Sequence, residues 1–471
     1  MPAMSIRSLT LALIAALGGM QLMLWAYLGL GWIVGGLGLL AVLLWGLARA
    51  PGWHGAIPLP TLALSYATAA LVLMLGGEGG WFFAPPDWQV RYAVLRDLAL
   101  NPWPFALAHP GGALILRAPL GMYLAPALFG QPQFALLLQN TLLLGTVLGL
   151  GAALFSRGHW IALGVFWAFS GMDILGQAFA GGRLTLHLES WAGLQYSSAI
   201  TQIFWAPQHA LAGWISAVLY LLWREGRVPA AVMLAAVPLI ALLSPLAMIG
   251  ALPFAAHAGF KPAKPLWPAL ATLLSLPALL YLTAGSAAVG GGVAHAHHRH
   301  AYLLFILIEL GGYLLALRVR GRQQPFGMAT TAITVASLLL IPFGQIGEGP
   351  DFVMRASIPA LAVMAVMMAR IVIDGPAPAR RWVWLMGLIG LATPASEIWR
   401  ALTWGPSPQV TCGYLGVIPQ GYATYTTKLT SLPATIRPAH PAIIAQGPPH
   451  SCWARGWPDP ITGKATLTHP Y

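Results

Sequence analysis

Apolar runs of about twenty residues recur along the chain and are separated by short polar gaps. A bilayer core of about 30 Å requires roughly 20 apolar residues per helix, so each run predicts one membrane-spanning helix. The stretch 228–257 is too long for one span and contains Pro238, Pro245 and Pro253, which predict two short, bent spans. The other runs are residues 9–28, 31–48, 60–75, 134–155, 160–180, 203–223, 266–283, 302–317, 328–343, 358–373 and 382–402.

These runs predict about thirteen spans, and the basic residues orient them. If the N-terminus is cytoplasmic, the arginine clusters at 318–322 and 380–381 fall on the cytoplasmic side, as the positive-inside rule expects. The C-terminus is then extracytoplasmic. Residues 113–129 are apolar but contain Arg117 and two prolines, so we expect them to form a helix along the outer leaflet or dipping into it.

The composition agrees with a membrane protein, because 58% of the residues are hydrophobic and only 8% are charged. A soluble domain carries roughly 25% charged residues. The net charge of +12 comes from arginines in the gaps, without a basic cluster interleaved with exposed aromatic residues, so no nucleic-acid partner is predicted. The pattern therefore predicts an all-α polytopic membrane protein with the bilayer as its surroundings.

Two regions follow from this pattern. Residues 1–402 form the predicted transmembrane domain, with residues 76–132 as its first outer loop, and residues 403–471 form a small, extended extracytoplasmic tail. Both cysteines, Cys412 and Cys452, lie in this tail. A disulfide is expected if the tail faces an oxidising compartment, and a free pair is the alternative.

The first outer loop contains a predicted helix, Asp87–Leu100, which ends at an Asn-Pro pair. Its aromatic residues Trp88 and Tyr92 follow helical spacing with Leu95, so one face is expected to lie in lipid. The loop thus predicts an interfacial helix beside the outer leaflet.

Three charged residues of this helix are candidates for chemistry. Asp87 lies at its start, where an aspartate serves either as a helix cap or as a catalytic carboxylate. Arg91 follows four residues later and either pairs with Asp87 along the helix or contacts a phosphate. Asp97 lies beside Arg96 and is expected on a solvated face.

The second outer segment supplies further acidic and polar residues. Asp173 is expected about two-thirds along its span, where a charged side chain faces a cavity or pairs with another helix. Glu189 lies in the following loop and is a candidate second carboxylate. A polar stripe leads into the next span and lines either a helix seam or, as we favour, a wet cavity. The stripe consists of Gln195, Ser198, Gln202, Gln208 and His209.

A third outer segment places Glu348, Asp351 and Arg355 within eight residues. The planar, permanently charged guanidinium of Arg355 suits a lipid phosphate, although a local pair with Asp351 is the alternative. The histidine run at 295–300 lies in glycine- and alanine-rich sequence and is expected to be a polar loop rather than a metal site. Glu309 lies within a predicted span and is expected to be protonated or hydrogen-bonded inside the bundle.

Four stretches together resemble the type C glycosyltransferase superfamily (GT-C), whose multi-span members use sugars carried on polyprenyl phosphates. They are PPDWQVRYAVLRDL with NPWP, then RAPLGMYLAPALFG, then FSGMDILG with ESWAGLQYSS, and finally GPDFVMRASIP. The resemblance is specific over about 60 residues, and the sequence lacks a strict Asp-x-Asp motif.

The resemblance implies transfer of a sugar from a polyprenyl-phosphate donor to a glycan or lipid acceptor at the outer face of a bacterial plasma membrane. Asp87 matches the essential aspartate of the family's first outer loop, and Asp173 or Glu189 corresponds to a second acidic position. Arg355, with Arg91 or Arg117, would bind the phosphate near Asp351. The lipid-linked sugar is the implied co-substrate, and the requirement for a divalent metal is left open.

Two other classes of function stay open at this point. A lipid or solute transporter would explain the proline-broken helices, but the sequence has no internal repeat. A non-catalytic scaffold would not require acidic and arginine residues in three separate outer segments.

Overall fold

The computed structural model describes residues 2–181, 185–189, 191–259, 265–293, 299–347, 349–445, 452–453, 455–460 and 465–466. Glu348 and the histidines at positions 295, 297 and 298 lie outside these residues, as does the side chain of His300. The described chain is mainly helical, as predicted.

The first half of the chain contains nine described helices. They are α1 (Ile6–Tyr27), α2 (Ile33–Arg49), α3 (Leu59–Leu75), α4 (Asp87–Leu100), α5 (Pro132–Ala152), α6 (His159–Trp167), α7 (Asp173–Phe179), α8 (Ala199–Trp205) and α9 (Pro207–Arg224).

The second half adds ten more within the described ranges. They are α10 (Ala230–Leu239), α11 (Pro245–Gly259), α12 (Leu266–Thr283), α13 (Arg299–Arg320), α14 (Met328–Leu340), α15 (Asp351–Ala356), α16 (Ile358–Asp374), α17 (Ala377–Gly390), α18 (Ala392–Thr403) and α19 (Tyr414–Val417).

Four helical segments in the described chain are long and apolar enough to cross a membrane: Ile6–Tyr27, Pro132–Ala152, Leu266–Thr283 and Ala301–Arg320. Shorter apolar helices accompany them, and many large hydrophobic side chains are exposed on the surface. The apolar helices support the membrane class, whereas the count of about thirteen spans stays a prediction.

Several predicted spans are broken helices. The stretch 228–257 forms two short helices, α10 and α11, as its prolines predicted. The stretch 160–180 was predicted as one helix, which is wrong, because the chain leaves the helix between α6 and α7. There the amide of Met172 bonds to the carbonyl of Ile308 at 3.2 Å, so a neighbouring helix satisfies the interrupted backbone.

Two further runs are also interrupted. The stretch 203–223 is divided between α8 and α9 at Pro207, and the stretch 382–402 is divided between α17 and α18 near Leu391. Pro207 lacks the amide hydrogen that a continuous helix needs, which explains the first break.

The described chain contains short strands that the sequence analysis did not predict. In one four-stranded sheet, β3 (Phe105–Leu107) and β4 (Leu114–Leu116) pair with β7 (Thr426–Lys428) and β8 (Ala442–Ile444) in the order β7-β4-β3-β8. The strand β3 is antiparallel to β4 and parallel to β8, and β4 is antiparallel to β7.

The other described strands form three two-stranded sheets. They pair β1 (Ala3–Ser5) with β2 (Ala56–Pro58), β5 (Gly291–Val293) with β6 (Gly344–Ile346), and β9 (Trp457–Pro458) with β10 (Ala465–Thr466).

The four-stranded sheet corrects one expectation. Residues 113–129 were expected to form a surface helix, but they contain β4 and two short 3-10 turns, and most of their side chains are buried. Backbone pairing with the tail makes this segment extended. The tail, which was expected to be small and extended, contributes two strands to this sheet.

The helix α4 has the predicted bounds, but its aromatic face does not lie in lipid. Trp88 and Tyr92 are buried within the protein, where the indole of Trp88 donates to the carbonyl of Phe204 at 2.8 Å and the phenol of Tyr92 donates to that of Gly77 at 2.7 Å. Both polar side-chain atoms thus find partners within the protein, so α4 is an interior helix.

Candidate active site

Asp87 is the first residue of α4 and follows two prolines directly. The helix begins because the amides of Trp88 and Gln89 bond to the carbonyls of Pro85 and Pro86 at 3.0 and 2.9 Å. Pro86, rather than Asp87, occupies the capping position. The carboxylate therefore lies at the positive end of the helix dipole, where a negative charge is stabilised.

Arg91 and Asp87 form an ion pair, which was one of the two roles that the sequence left open for Arg91. Nη2 of Arg91 lies 3.2 Å from Oδ2 of Asp87. The guanidinium is almost fully buried and also donates to the side chain of Gln208 at 3.3 Å, whereas Asp87 keeps 28% exposure. Arg91 thus holds Asp87 from the protein side.

Asp351 and Arg355 lie on the short helix α15, one turn apart, and their side chains form the local ion pair that was the alternative to a phosphate contact. Both remain partly exposed. The charge of Asp351 and that of Asp87 both raise the pKa of Arg355 against the opposing effect of burial. The pair is therefore close enough to α4 for the two sites to interact electrostatically.

Two cavities meet at these groups. Cavity A, of about 230 Å³, lies between α8, α15 and the loop before α8. Cavity B, of about 310 Å³, lies between α4, α15 and the C-terminal tail. Cavity A is lined by Asp87, His187, Gln195, Ser197, Thr201, Gln202, Trp205, Ala206, Asp351, Met354, Arg355 and Ile358. Cavity B is lined by Asp87, Val90, Ala288, Val289, Gly347, Asp351, Arg355, Tyr422, Ala423, Thr424 and Tyr425.

Only Asp87, Asp351 and Arg355 line both cavities in the described part of the chain. Asp87 is more than 260 residues away from Asp351 and Arg355 in sequence, yet the three residues form a common wall. Gln195 and Gln202 of the predicted polar stripe line cavity A, which places two of its residues at a cavity.

Glu189 is buried next to Gln195, which lines cavity A. Its carboxylate accepts hydrogen bonds from Nε2 of Gln195 at 2.6 Å and from the amide of Ser198 at 2.7 Å. Gln195 also donates to the hydroxyl of Ser197 at 3.0 Å. Glu189 is not among the described residues that line either cavity, so it contacts the site through Gln195.

Asp173 lies at the start of α7 rather than in the interior of one continuous helix. Its carboxylate accepts hydrogen bonds from the hydroxyls of Ser170 and Thr393 at 3.2 and 2.8 Å and from the indole of Trp191 at 3.3 Å. Burial and then the nearby charge of Asp173 raise the pKa of Glu189 to about 7. Asp173 thus holds three segments together, away from the described walls of both cavities.

Two other predicted residues have local roles. The guanidinium of Arg117 donates to the backbone carbonyl of Leu282 at 2.6 Å and to that of Ala423. Both of its terminal nitrogens thus bond to the protein rather than to a phosphate. The imidazole of His209 lies 2.7 Å from the hydroxyl of Ser244 and is likewise not among the described lining residues.

The wall of cavity A contains a network that the sequence analysis missed. Nδ1 of His187 lies 3.2 Å from Oε1 of Glu397, and the indole of Trp205 donates to Oε2 of Glu397 at 3.0 Å. Arg400, one turn along α18, forms an ion pair with Glu397. Burial lowers the pKa of His187, but the hydrogen bond and charge of Glu397 outweigh it and raise the pKa overall.

The second missed feature is the tail, which forms one side of cavity B. Burial raises the pKa of the Tyr425 phenol, and the charges of Asp87 and Asp351 add to this effect while Arg91 and Arg355 oppose it. The phenol is therefore within electrostatic reach of all four charged groups. No sequence motif marks Tyr425, because the pairing of β7 with β4 brings it there.

Asp97 was expected on a solvated face, which is wrong. It is buried, and its Oδ2 accepts a hydrogen bond from the amide of Tyr414 at 2.7 Å. The same helix therefore carries Asp87 at its start and anchors the tail near its end.

Cys412 and Cys452, for which the sequence left a disulfide and a free pair open, form a disulfide. In the described part of the chain, no group of three or more histidine, cysteine, aspartate or glutamate side chains is arranged to hold a metal ion. No known family model, curated protein or solved structure matches the chain significantly.

Proposed function

We propose that this chain is a membrane glycosyltransferase that moves a sugar from a polyprenyl-phosphate carrier to an acceptor hydroxyl or amine. The reaction would take place on the extracytoplasmic face of a bacterial inner membrane, with the N-terminus in the cytoplasm and about thirteen spans. The observation that carries the proposal is the wall of Asp87, Asp351 and Arg355 between two cavities. A transfer enzyme needs two substrates to meet at one set of reactive groups.

In this proposal Asp87 is the general base. Its carboxylate takes the proton of the acceptor as the acceptor oxygen or nitrogen attacks the anomeric carbon. The bond from that carbon to the phosphate oxygen breaks, and the phosphate leaves with the bonding electrons. Inversion at the anomeric carbon follows from a single displacement.

Arg355 would stabilise the departing phosphate, since a planar guanidinium offers two parallel donors to phosphate oxygens. Asp351 holds that guanidinium through their ion pair. We assign the donor phosphate to cavity A, where Met354, Ile358 and Trp205 provide apolar surface beside Arg355. Glu189 would position Gln195 in the same cavity rather than touch the substrate.

The test is transfer from a synthetic polyprenyl-phosphate sugar by the purified protein, with Asp87→Asn compared against Asp374→Asn. Asp374 forms a surface ion pair with Arg157 at 2.7 Å, so it controls for loss of a paired aspartate elsewhere. Removing a general base is expected to slow transfer by about 10²–10⁴-fold, whereas the control should retain wild-type rates.

Each reaction should also be run with EDTA to determine whether a divalent metal takes part. Equal rates for Asp87→Asn and the wild type would remove Asp87 from the reaction. Uptake of the sugar lipid without transfer would favour the transporter reading instead.

A further inference from the structure

The C-terminal tail forms a preorganised wall rather than a loose cover over cavity B. The amide of Thr426 bonds to the carbonyl of Tyr422 at 2.8 Å, and the amide of Tyr422 bonds to the phenol of Tyr414 at 3.0 Å. The rings of Tyr414 and Tyr425 stack with centroids 5.8 Å apart. The turn from Tyr422 to Tyr425 is thus fixed before any ligand enters, which lowers the entropic cost of binding.

The same turn is anchored to the first outer loop. The amide of Arg117 bonds to the carbonyl of Tyr425 at 2.6 Å, and β7 pairs with β4 immediately afterwards. Asp97 holds the amide of Tyr414 at 2.7 Å. These bonds place the tail turn opposite Asp87, which lies on the same helix as Asp97.

The charges in cavity B are balanced. Asp87 pairs with Arg91, and Asp351 pairs with Arg355. The wall therefore offers hydrogen-bonding groups without a large net charge, which suits a neutral ligand with many hydroxyl groups better than an ion.

The volume of cavity B and its aromatic residues narrow the class of ligand further. The volume of about 310 Å³ is at the lower end of the roughly 300–1,000 Å³ of small-molecule pockets. A tyrosine offers an apolar ring face together with a polar hydroxyl, and Tyr422 and Tyr425 both line the pocket. The ring faces can pack against the C–H face of a sugar ring while its hydroxyls bond to the carboxylates.

We propose that cavity B is the acceptor site, that the acceptor presents a saccharide or similarly polyhydroxylated group there, and that Tyr422 and Tyr425 of the tail determine its specificity. The acceptor role of cavity B rests on the proposed function. Binding of a saccharide in cavity B can be measured without any transfer reaction. The tail is then a substrate-binding element, and Asp87 reaches the acceptor from the opposite wall.

The first experiment measures binding alone. Saturation-transfer NMR would be recorded on the purified protein in nanodiscs with a panel of methyl hexopyranosides and methyl pentofuranosides. At least one glycoside should give a saturable signal that Tyr425→Ala abolishes and Tyr302→Ala leaves intact. Tyr302 is a matched control because it is also partly buried, and its phenol bonds to the carbonyl of Leu339 at 2.8 Å, outside both cavities.

The second experiment uses the transfer reaction. Tyr425→Ala is expected to raise KM for the acceptor at least tenfold while KM for the polyprenyl-phosphate donor changes less than twofold. Tyr425→Phe keeps the ring and is expected to give a smaller rise in the acceptor KM, so it keeps the test usable if the alanine variant does not fold.

The outcomes separate the two proposals. A glycoside signal that depends on Tyr425, without any transfer by the wild type, would support the saccharide site while the glycosyltransferase proposal fails. A change in the donor KM alone would overturn the assignment of cavity B to the acceptor. Absence of glycoside binding to the wild type, or binding unaffected by Tyr425→Ala, would overturn the saccharide site whatever the transfer assay gives.

Discussion

The buried Glu397 network allows a quantitative prediction for Glu397→Gln. The substitution removes a negative charge that faces both Arg400 and His187, and all three side chains are at most 6% exposed. Breaking a buried ion pair by removing one partner typically costs about 3–5 kcal/mol, because the remaining charge stays buried without compensation. We therefore expect the free energy of unfolding to fall by an amount in this range.

The matched control is Glu225→Gln. Glu225 pairs with Arg370 at 3.4 Å, but these side chains are 32% and 25% exposed. Ion pairs near the surface contribute about 0–1 kcal/mol, so this variant should be close to the wild type.

The assay is denaturant unfolding of the purified protein in detergent, followed by tryptophan fluorescence. A second variant, Glu397→Gln combined with Arg400→Gln, should recover part of the lost stability because it also removes the uncompensated cation. If Glu397→Gln destabilises the protein no more than Glu225→Gln does, the buried network does not hold the wall of cavity A, and the reasoning from burial is refuted.

Three further predictions concern packing, charge and the tail. Gly171→Ala places a methyl group against the carboxylate of Glu309 and should cost about 1–3 kcal/mol in thermal unfolding, whereas Gly164→Ala meets no atom within 4 Å and should be neutral or stabilising. Folding raises the pKa of Glu189 from 4.5 to about 7, so the folded state binds this proton more tightly than the unfolded state. Stability should therefore decline as pH rises from about 4.5 to 7. The variant Glu189→Gln should remove this part of the pH dependence of the melting temperature. Cys412→Ser removes a cross-link between residues 40 apart in sequence and should lower the free energy of unfolding by about 2–4 kcal/mol. The melting temperature and the rate of proteolysis in the tail measure this loss. A melting temperature equal to that of the wild type would contradict the prediction.

Local patterns predicted the parts of the fold that depend on neighbouring residues. The helix Asp87–Leu100 has its predicted bounds because two prolines precede it and an Asn-Pro pair follows it. The ion pairs of Asp87 with Arg91 and of Asp351 with Arg355 are present because both are separated by four residues on a helix.

The errors concern contacts between distant segments. The run 160–180 contains Ser170, Gly171 and Asp173 where the helix breaks, but these residues do not show that the freed backbone bonds to another helix at Ile308. The segment 113–129 becomes extended because a tail more than 300 residues later pairs with it. Single-sequence periodicity contains no information on such a partner.

Part of the proposed site could be selected from local sequence. Asp87, Asp351 and Arg355 stand in polar gaps between apolar runs and could be selected by residue type, and they line both cavities. His187 and Tyr425 could not be selected, because ordinary-looking sequence surrounds them and only the fold brings them to the cavities.

The most direct test of the central claim is a cryo-EM structure of the protein with a non-hydrolysable polyprenyl-phosphate sugar. We expect the phosphate within hydrogen-bond distance of the Arg355 guanidinium in cavity A, with the anomeric carbon facing the carboxylate of Asp87. Density for the sugar phosphate at a different place, with Asp87 and Arg355 unoccupied, would contradict it.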